Sequence, residues 1–417
     1  MPSAVDRSVV ALLASVFTSA AAALAQATVL GKQVYDLTGR ELDLGLLGLA
    51  EFAPAALLVL VTGSVADRLD RRRVAAVGLA GEAIVALALA WYAGTQPTAV
   101  GPIFAMAFVF GIARAFVAPA VRSLPADTVG PERLPWLIAR FSGAWQLALI
   151  IGPVLGGFLY TVDLRLPYVA VAVLLLLSTA AILLVSPHPR AHRVEITEGL
   201  ESTAPAPKPS FRDAVEGLRF IRREPVLLGA ISLDLFAVLF GGAVALLPAI
   251  ATERLGVDAV GLGWLRAAGG MGAGLVTLLL AIRPVRRNVG HVLLSAVAAF
   301  GLATIVLGVT RNFVVAFAAL AILSGADSIS VFIRATLVPL VTPADKRGRV
   351  MSVENVFIGA SNELGAFESG VAGQLLGPAG AVVLGGVATL GIAAGWWFAF
   401  PDLRRVDEFP GASSVEA

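Results

Sequence analysis

Five carboxylates interrupt apolar runs: Glu51, Asp234, Asp327, Glu363 and Glu368 each stand in a hydrophobic stretch of a chain that is 58% hydrophobic and 14% charged. An ionisable group at mid-bilayer costs about 2.5 to 3.5 kcal/mol on insertion scales, so each is a functional candidate by default. The chemistry open to such a group is reversible protonation, governed by alternate desolvation and approach of a cation. Asp234 and Glu363 lie deepest in their runs and are the leading proton carriers, with Glu368, Asp327 and Glu51 behind them. A permanent ion pair that only ties helices together competes with that role for every one of them. Arg114 and Arg266 are suited to an anionic ligand group or to neutralising these acids, and Gln26 and Gln146 to hydrogen-bonding a polar ligand. Arg140, Arg334 and Glu354 fall within about one or two turns of the expected cytoplasmic helix ends, where long side chains snorkel or join a gate, and pairing with Arg334 two turns on is the alternative role of Asp327.

Other chemistries lack their residues. The chain has no G-x-x-x-x-G-K-[ST] loop for ATP, no H-E-x-x-H and no G-x-S-x-G, the signatures of phosphate cradles, zinc hydrolases and serine hydrolases. It has no cysteine, and its three histidines, His188, His192 and His291, sit at or beyond expected helix ends. No metal, no cofactor, no enzymatic activity and no nucleic-acid partner are therefore expected.

These residues need a scaffold that crosses a bilayer. A hydrocarbon core of roughly 30 Å takes about 20 apolar residues per helix, and twelve runs qualify, near 8–30, 44–64, 74–94, 101–122, 136–160, 165–186, 226–250, 259–281, 291–310, 312–334, 349–371 and 378–400. The period-2 alternation of an outer-membrane barrel is absent, so the runs read as helices. The Ala-rich opening stretch is expected to be a retained first helix. Of 31 Lys and Arg, 22 fall on the side that carries both termini and five on the other, including Lys32. The positive-inside rule then places both termini in the cytoplasm of a multi-pass plasma or inner membrane protein.

The hydrophilic, Pro-rich stretch Ser186 to Ser210 divides the runs six and six. The expected organisation is a six-helix bundle over 1–186, a cytoplasmic linker with an interfacial helix over 187–224, a second bundle over 225–402, and a tail over 403–417. In the linker Phe211, Val215, Leu218 and Ile221 share one helical stripe with arginines opposite, a pattern for a helix lying on the membrane surface. A repeat at an offset of 212 residues aligns Arg122 with Arg334, Val129 with Val341 and Pro131 with Pro343. Such a parallel duplication implies two pseudo-symmetric halves.

The charge knot "GSVADRLDRRRV" carries the decisive spacing. Gly63, Asp67, Arg68, Arg71 and Arg72 match the G-x-x-x-D-R-x-G-R-R/K loop of the major facilitator superfamily, which the whole chain resembles; Asp70 stands where that family commonly has glycine. The resemblance implies twelve transmembrane helices in two bundles, alternating access around a central site, helices three, six, nine and twelve at the periphery, and a monomer. The peripheral position sets Glu82 aside. It also makes the knot a cytoplasmic gate, with Asp67 meeting a helix N-terminus and the arginines pairing with acids such as Asp127 or Asp345. Gly152, Pro153, Gly156 and Gly157 in "GPVLGG" resemble the exporters' G-P-x-x-G-G helix-bend motif, and Thr342 to Gly370 is similar to the enterobactin-exporter and drug-efflux branch. The expected function is proton-coupled export of a small amphiphilic compound, siderophore-like or drug-like. Uptake by proton symport is the alternative within transport, and a non-transporting membrane scaffold or sensor the alternative outside it.

Overall fold

The computed structural model describes residues 4–186 and 211–410, without the side chains of 4, 5, 59–61, 63, 64, 66–68 and 211–214. Most of the expected linker, with His188 and His192, lies outside the described residues. Regular structure among the described residues is helical throughout: α1 (Ala4–Thr38), α2 (Glu41–Arg68), α3 (Arg71–Ala93), α4 (Gly101–Thr128), α5 (Leu134–Val162), α6 (Leu166–Leu183), α7 (Phe211–Arg223), α8 (Pro225–Phe240), α9 (Ala259–Ile282), α10 (Val289–Val309), α11 (Phe313–Val341), α12 (Arg347–Ala399) and the single turn α13 (Pro401–Arg404). Ten stretches among the described residues are long and apolar enough to cross a bilayer. One of them, α12, has 53 residues, about 80 Å at 1.5 Å per residue, which is more than two bilayer cores. Gly377 takes φ +75 and ψ 159 just before Pro378 and breaks it into two crossings. Counting both parts of α12 and the 28-residue α2 gives the twelve crossings of an all-α membrane protein.

Local chemistry sets the helix ends. Proline stands in the first turn of α4, α5, α6 and α8, where its missing N–H would have had no intrahelical partner. Asn312 caps α11 by accepting hydrogen bonds from the Val314 and Val315 amides at 2.9 and 3.2 Å. The start of α10 is served from elsewhere. Asn288 is left-handed at φ 54, and the amides of Asn288, Val289 and Gly290 donate to the Asp407 carboxylate, the Asp407 carbonyl and the Val406 carbonyl at 2.8, 3.2 and 2.9 Å. The Asn288 amide, and then Arg287, hold the Asp407 carboxyl below the usual carboxylate range.

Two compact units emerge. The first comprises 4–39, 46–186 and 257–267; the second comprises 40–45, 211–256 and 268–410. In the first, α1 packs on α5 and α6, and α3 on α4 and α6, around buried Leu12, Leu79, Leu89, Ile103, Tyr168 and Leu175. In the second, α12 packs on α8 and α10. Small residues permit the close crossings expected where lipid gives no hydrophobic drive: a Cβ on Gly301 would lie 3.0 Å from the Gly386 carbonyl, and one on Gly386 2.7 Å from that of Gly301.

The structure corrects three expectations. The run 226–250 is not one continuous helix: α8 ends at Phe240, followed by a 3-10 turn over Ala243–Leu246, a turn over Leu247–Ala249 and a π turn over Ile250–Arg254. At the break a Cβ on Gly242 would sit 2.5 Å from the Ser369 hydroxyl and 2.6 Å from the Gly365 carbonyl, so backbone alone fits against α12. Irregular backbone at membrane depth is tolerated where protein buries it. Lys32 belongs to no outer loop; it is buried in α1 and pairs with Asp36, which also accepts a hydrogen bond from the Tyr160 hydroxyl at 2.9 Å. The linker stripe is split: Ile221 is buried beside Val350 and Val353 while Val215 and Leu218 are exposed, and helical spacing puts the exposed Arg219 and Arg222 on the face of Val215 and Leu218 rather than opposite it. The Phe211 side chain lies outside the described residues.

Candidate functional site

Each unit contains a charged cluster inside its helices. In the second unit, Arg334 of α11 is 4% exposed and holds two acids, Asp234 of α8 at 2.7 Å and Glu354 of α12 at 3.6 Å. The Arg334 Nε lies 3.5 Å from the Ser330 hydroxyl, one turn back on α11. Asp327, one further turn back, lines a cavity with Asp234 and Ser330, walled by Ala237, Val297 and Phe300. That cavity has about 10 Å³ of room for a water-sized centre, enough for roughly one water. Arg334 and Glu354 do not snorkel to the helix ends. Both are buried, because a guanidinium on α11 reaches carboxylates on two neighbouring helices more readily than it reaches water. Arg140 behaves as a surface group instead, exposed and stacked 3.8 Å from the Trp136 ring.

The other deep acids of the second unit stand apart from Arg334. Glu363 and Glu368 are half-buried on α12, beyond Glu354 by about 13 and 21 Å along the helix at 1.5 Å per residue.

The cluster in the first unit joins two acids and two arginines. Arg114 of α4 lies 3.8 Å from Glu82 of α3, and Glu82 is wholly buried with neither carboxylate oxygen accepting a hydrogen bond among the described residues. Glu51 of α2 lies within electrostatic reach of Arg114 and of Arg266 on α9. The Arg266 Nε is buried and has no hydrogen-bond partner among the described residues. Gln26 of α1 is 1% exposed, and neither atom of its amide has a partner there. Gln146 is half-buried on α5. The peripheral position that the resemblance gives α3 hides Glu82; a carboxylate at mid-run with an arginine in the next span is the sequence signal for it.

The bend motif works as a two-sided contact. A Cβ on Gly152 would lie 2.6 Å from the Ala21 carbonyl and one on Gly156 3.0 Å from that of Ala25, both on α1. A Cβ on Gly157 would lie 2.1 Å from the Ala259 carbonyl, and one on Gly263 2.5 Å from that of Pro153. The motif therefore seats α5 between α1 and the start of α9 within the first unit.

At the knot, Gly63, Asp67 and Arg68 fall in the last turns of α2, with side chains outside the described residues. Arg71 donates to both oxygens of Asp127 at 2.8 and 3.1 Å. Asp70 caps α3 at φ −59, accepting from the Arg72 amide at 3.0 Å, so no glycine is needed there. The Arg72 side chain bonds Asp70 and the Val185 carbonyl, both at 2.8 Å. The hydrogen bonds from Arg72 hold the Asp70 carboxyl below the usual range.

The sequence profile described as Major Facilitator Superfamily matches residues 8–366. The chain belongs to that superfamily. Solved structures agree on the fold of this superfamily member. A bacterial homolog of the human lysosomal transporter Spinster, inward-facing and unoccupied, is 15% identical over 97% of both chains with a TM-score of 0.68. The nucleoside transporter NupG is 13% identical over 94% of this chain and 99% of its own, at 0.71. A D-xylose–proton symporter is 14% identical over 95% and 98%, at 0.68. No curated sequence relative matches the chain. Major facilitator proteins are transporters, and this one is a multi-pass membrane protein of that fold.

Proposed function

We propose that this major facilitator protein is a monomeric, proton-coupled exporter of a small amphiphilic organic compound, working by alternating access. The observation that carries the proposal is the Arg334 cluster. One buried guanidinium faces Asp234 and Glu354 at 2.7 and 3.6 Å, and Asp327 shares a cavity with Asp234. A single cation balances one of three carboxylates, and burying the others charged costs several kcal/mol per ion. Protons supply the balance. Movement of Arg334 between Asp234 and Glu354 would then release and recapture a proton, and one proton crossing 100 mV brings about 2.3 kcal/mol of electrical work.

The remaining assignments follow from this. Asp234 is the leading carrier, with Asp327 beside it and Glu363, Glu368 and Glu51 as further candidates. Arg114, Arg266, Gln26 and Gln146 form the substrate-binding set. The bonds of Arg71 and Arg72 support a gate that also includes Gly63, Asp67 and Arg68. The outward direction rests on the resemblance of Gly152 to Gly157 to the exporters' motif, and the cytoplasmic termini on the charge bias. A pH-sensitive dye in proteoliposomes, with catechol siderophores and lipophilic cations as the panel, tests the proposal. Solute-driven proton movement that Asp234→Asn abolishes is expected; equal movement in the variant removes Asp234 from the mechanism.

A further inference from the structure

Helix α7 is held by one face and exposed on the other among the described residues. On its inner face Ile221 is 1% exposed among Leu227, Ile231, Val338, Val350 and Val353. Glu216 pairs with Arg349 at 3.1 Å, the Lys346 ammonium sits 4.7 Å from the Phe220 ring centre, and a Cβ on Gly217 would meet the Arg349 carbonyl at 2.8 Å. α7 is therefore pinned along the start of α12. Helical geometry at 100° per residue then puts Val215, Leu218, Arg219 and Arg222 together on the opposite side. Val215 and Leu218 keep 38% and 37% of their surface exposed, and the arginines are exposed with no ion pair among the described residues. The acid that a helix partner would supply, Glu216, is already committed to Arg349.

We infer that this outer face of α7 is a binding site for phospholipids with anionic headgroups. Charge complementarity selects the occupant. Two guanidinium groups with no ion pair among the described residues flank two apolar side chains, the arrangement in which arginines reach phosphates while short apolar residues meet acyl chains. A soluble acidic protein would satisfy the arginines but leave Val215 and Leu218 against water. Only Glu224 separates α7 from α8, a membrane crossing, which keeps the face close to the headgroup layer. Headgroup binding would also bear on α12, since the same helix grips Lys346 and Arg349 from its inner side.

Because the chain has no cysteine, a single environment-sensitive dye can be placed by Leu218→Cys in the full-length protein. Nanodiscs of phosphatidylcholine, with or without phosphatidylglycerol, supply the probe surface. The dye is expected to move to a less polar environment when phosphatidylglycerol is present. Phosphatidylglycerol retained by purified protein should be enriched over phosphatidylcholine, and R219Q/R222Q should lower that preference about 25-fold, at roughly fivefold per arginine near an anionic surface. An unchanged melting temperature would show that the variant is folded. Unchanged retention in R219Q/R222Q, a water-like dye in both lipids, or a shift produced by inorganic phosphate in phosphatidylcholine alone would each overturn the inference.

Discussion

Arg334 in the second unit and Arg114 in the first are both intramembrane arginines facing acids on neighbouring helices, yet their surroundings differ in charge and in access to water. Arg334 has a side chain 5% exposed and two carboxylates within 4 Å, with Asp327 close behind. Arg114 is 34% exposed, has one carboxylate at 3.8 Å, and shares Glu51 with Arg266. The first cluster has as many cations as acids and needs no proton for neutrality. The second has one cation for three acids among the described residues, the imbalance on which the proposed proton coupling rests. An arginine alone says little about function; the excess of acids around Arg334 is what the proposed proton coupling rests on, and the balanced cluster around Arg114 lacks it.

The largest expected effect breaks the second cluster. Arg334→Gln strands Asp234 and Glu354 in the core and should cost about 3–5 kcal/mol, read as a fall in melting temperature. Arg114→Gln should cost less, about 1–3 kcal/mol, since one buried acid loses a longer and partly hydrated partner. Equal losses would erase the distinction between the clusters.

A functional contrast comes next. Asp234→Asn should lower solute-driven proton movement at least tenfold, whereas Glu82→Gln should leave it within about twofold, tenfold corresponding to about 1.4 kcal/mol. Glu82→Gln should also be nearly neutral in stability, because Arg114 retains water and Glu51. A loss of proton coupling on Glu82→Gln would move the titrating site into the first unit.

The smallest effects belong to the knot, where the pairs are wet. Arg71→Gln should cost about 0.2–1 kcal/mol, with the Arg71 and Asp127 side chains each about one-third exposed. Asp70→Ala removes a cap and should cost about 0.5–2 kcal/mol. The Asp70 carboxyl is held low by Arg72, so its contribution is present above its unfolded value near 3.9 and fades as pH falls through its lower folded value. Melting curves of Asp70→Ala and the parent should therefore converge toward low pH. A gap that persists at pH 2 would mean that the cap, not the charge, carries the difference.

The sequence by itself determined a great deal, because a bilayer imposes length and hydropathy on every crossing. Twelve apolar runs, the basic bias to one side, the 212-residue offset that recurs as the starts of α4 at Gly101 and α11 at Phe313, and the knot's spacing all follow from local composition. Asp234 was legible as a charge in a deep apolar run, and the packing role of Gly152, Gly156 and Gly157 as small residues in lipid. The Arg71–Asp127 pair was legible at the knot, but partnership in the buried clusters was not. Arg122 and Arg334 occupy equivalent places in the repeat, but Arg122 is exposed while Arg334 is buried on acids from two other helices. Those acids lie about 100 residues before Arg334 and 20 after it, so only packing brings them together. The same holds for Glu82, whose value depends on Arg114 in the next helix, and for the break after Phe240, where Gly242 yields to the backbone of α12. Hydropathy is a property of a segment, whereas neutralising a buried charge requires a neighbour, and the tertiary fold alone supplies neighbours.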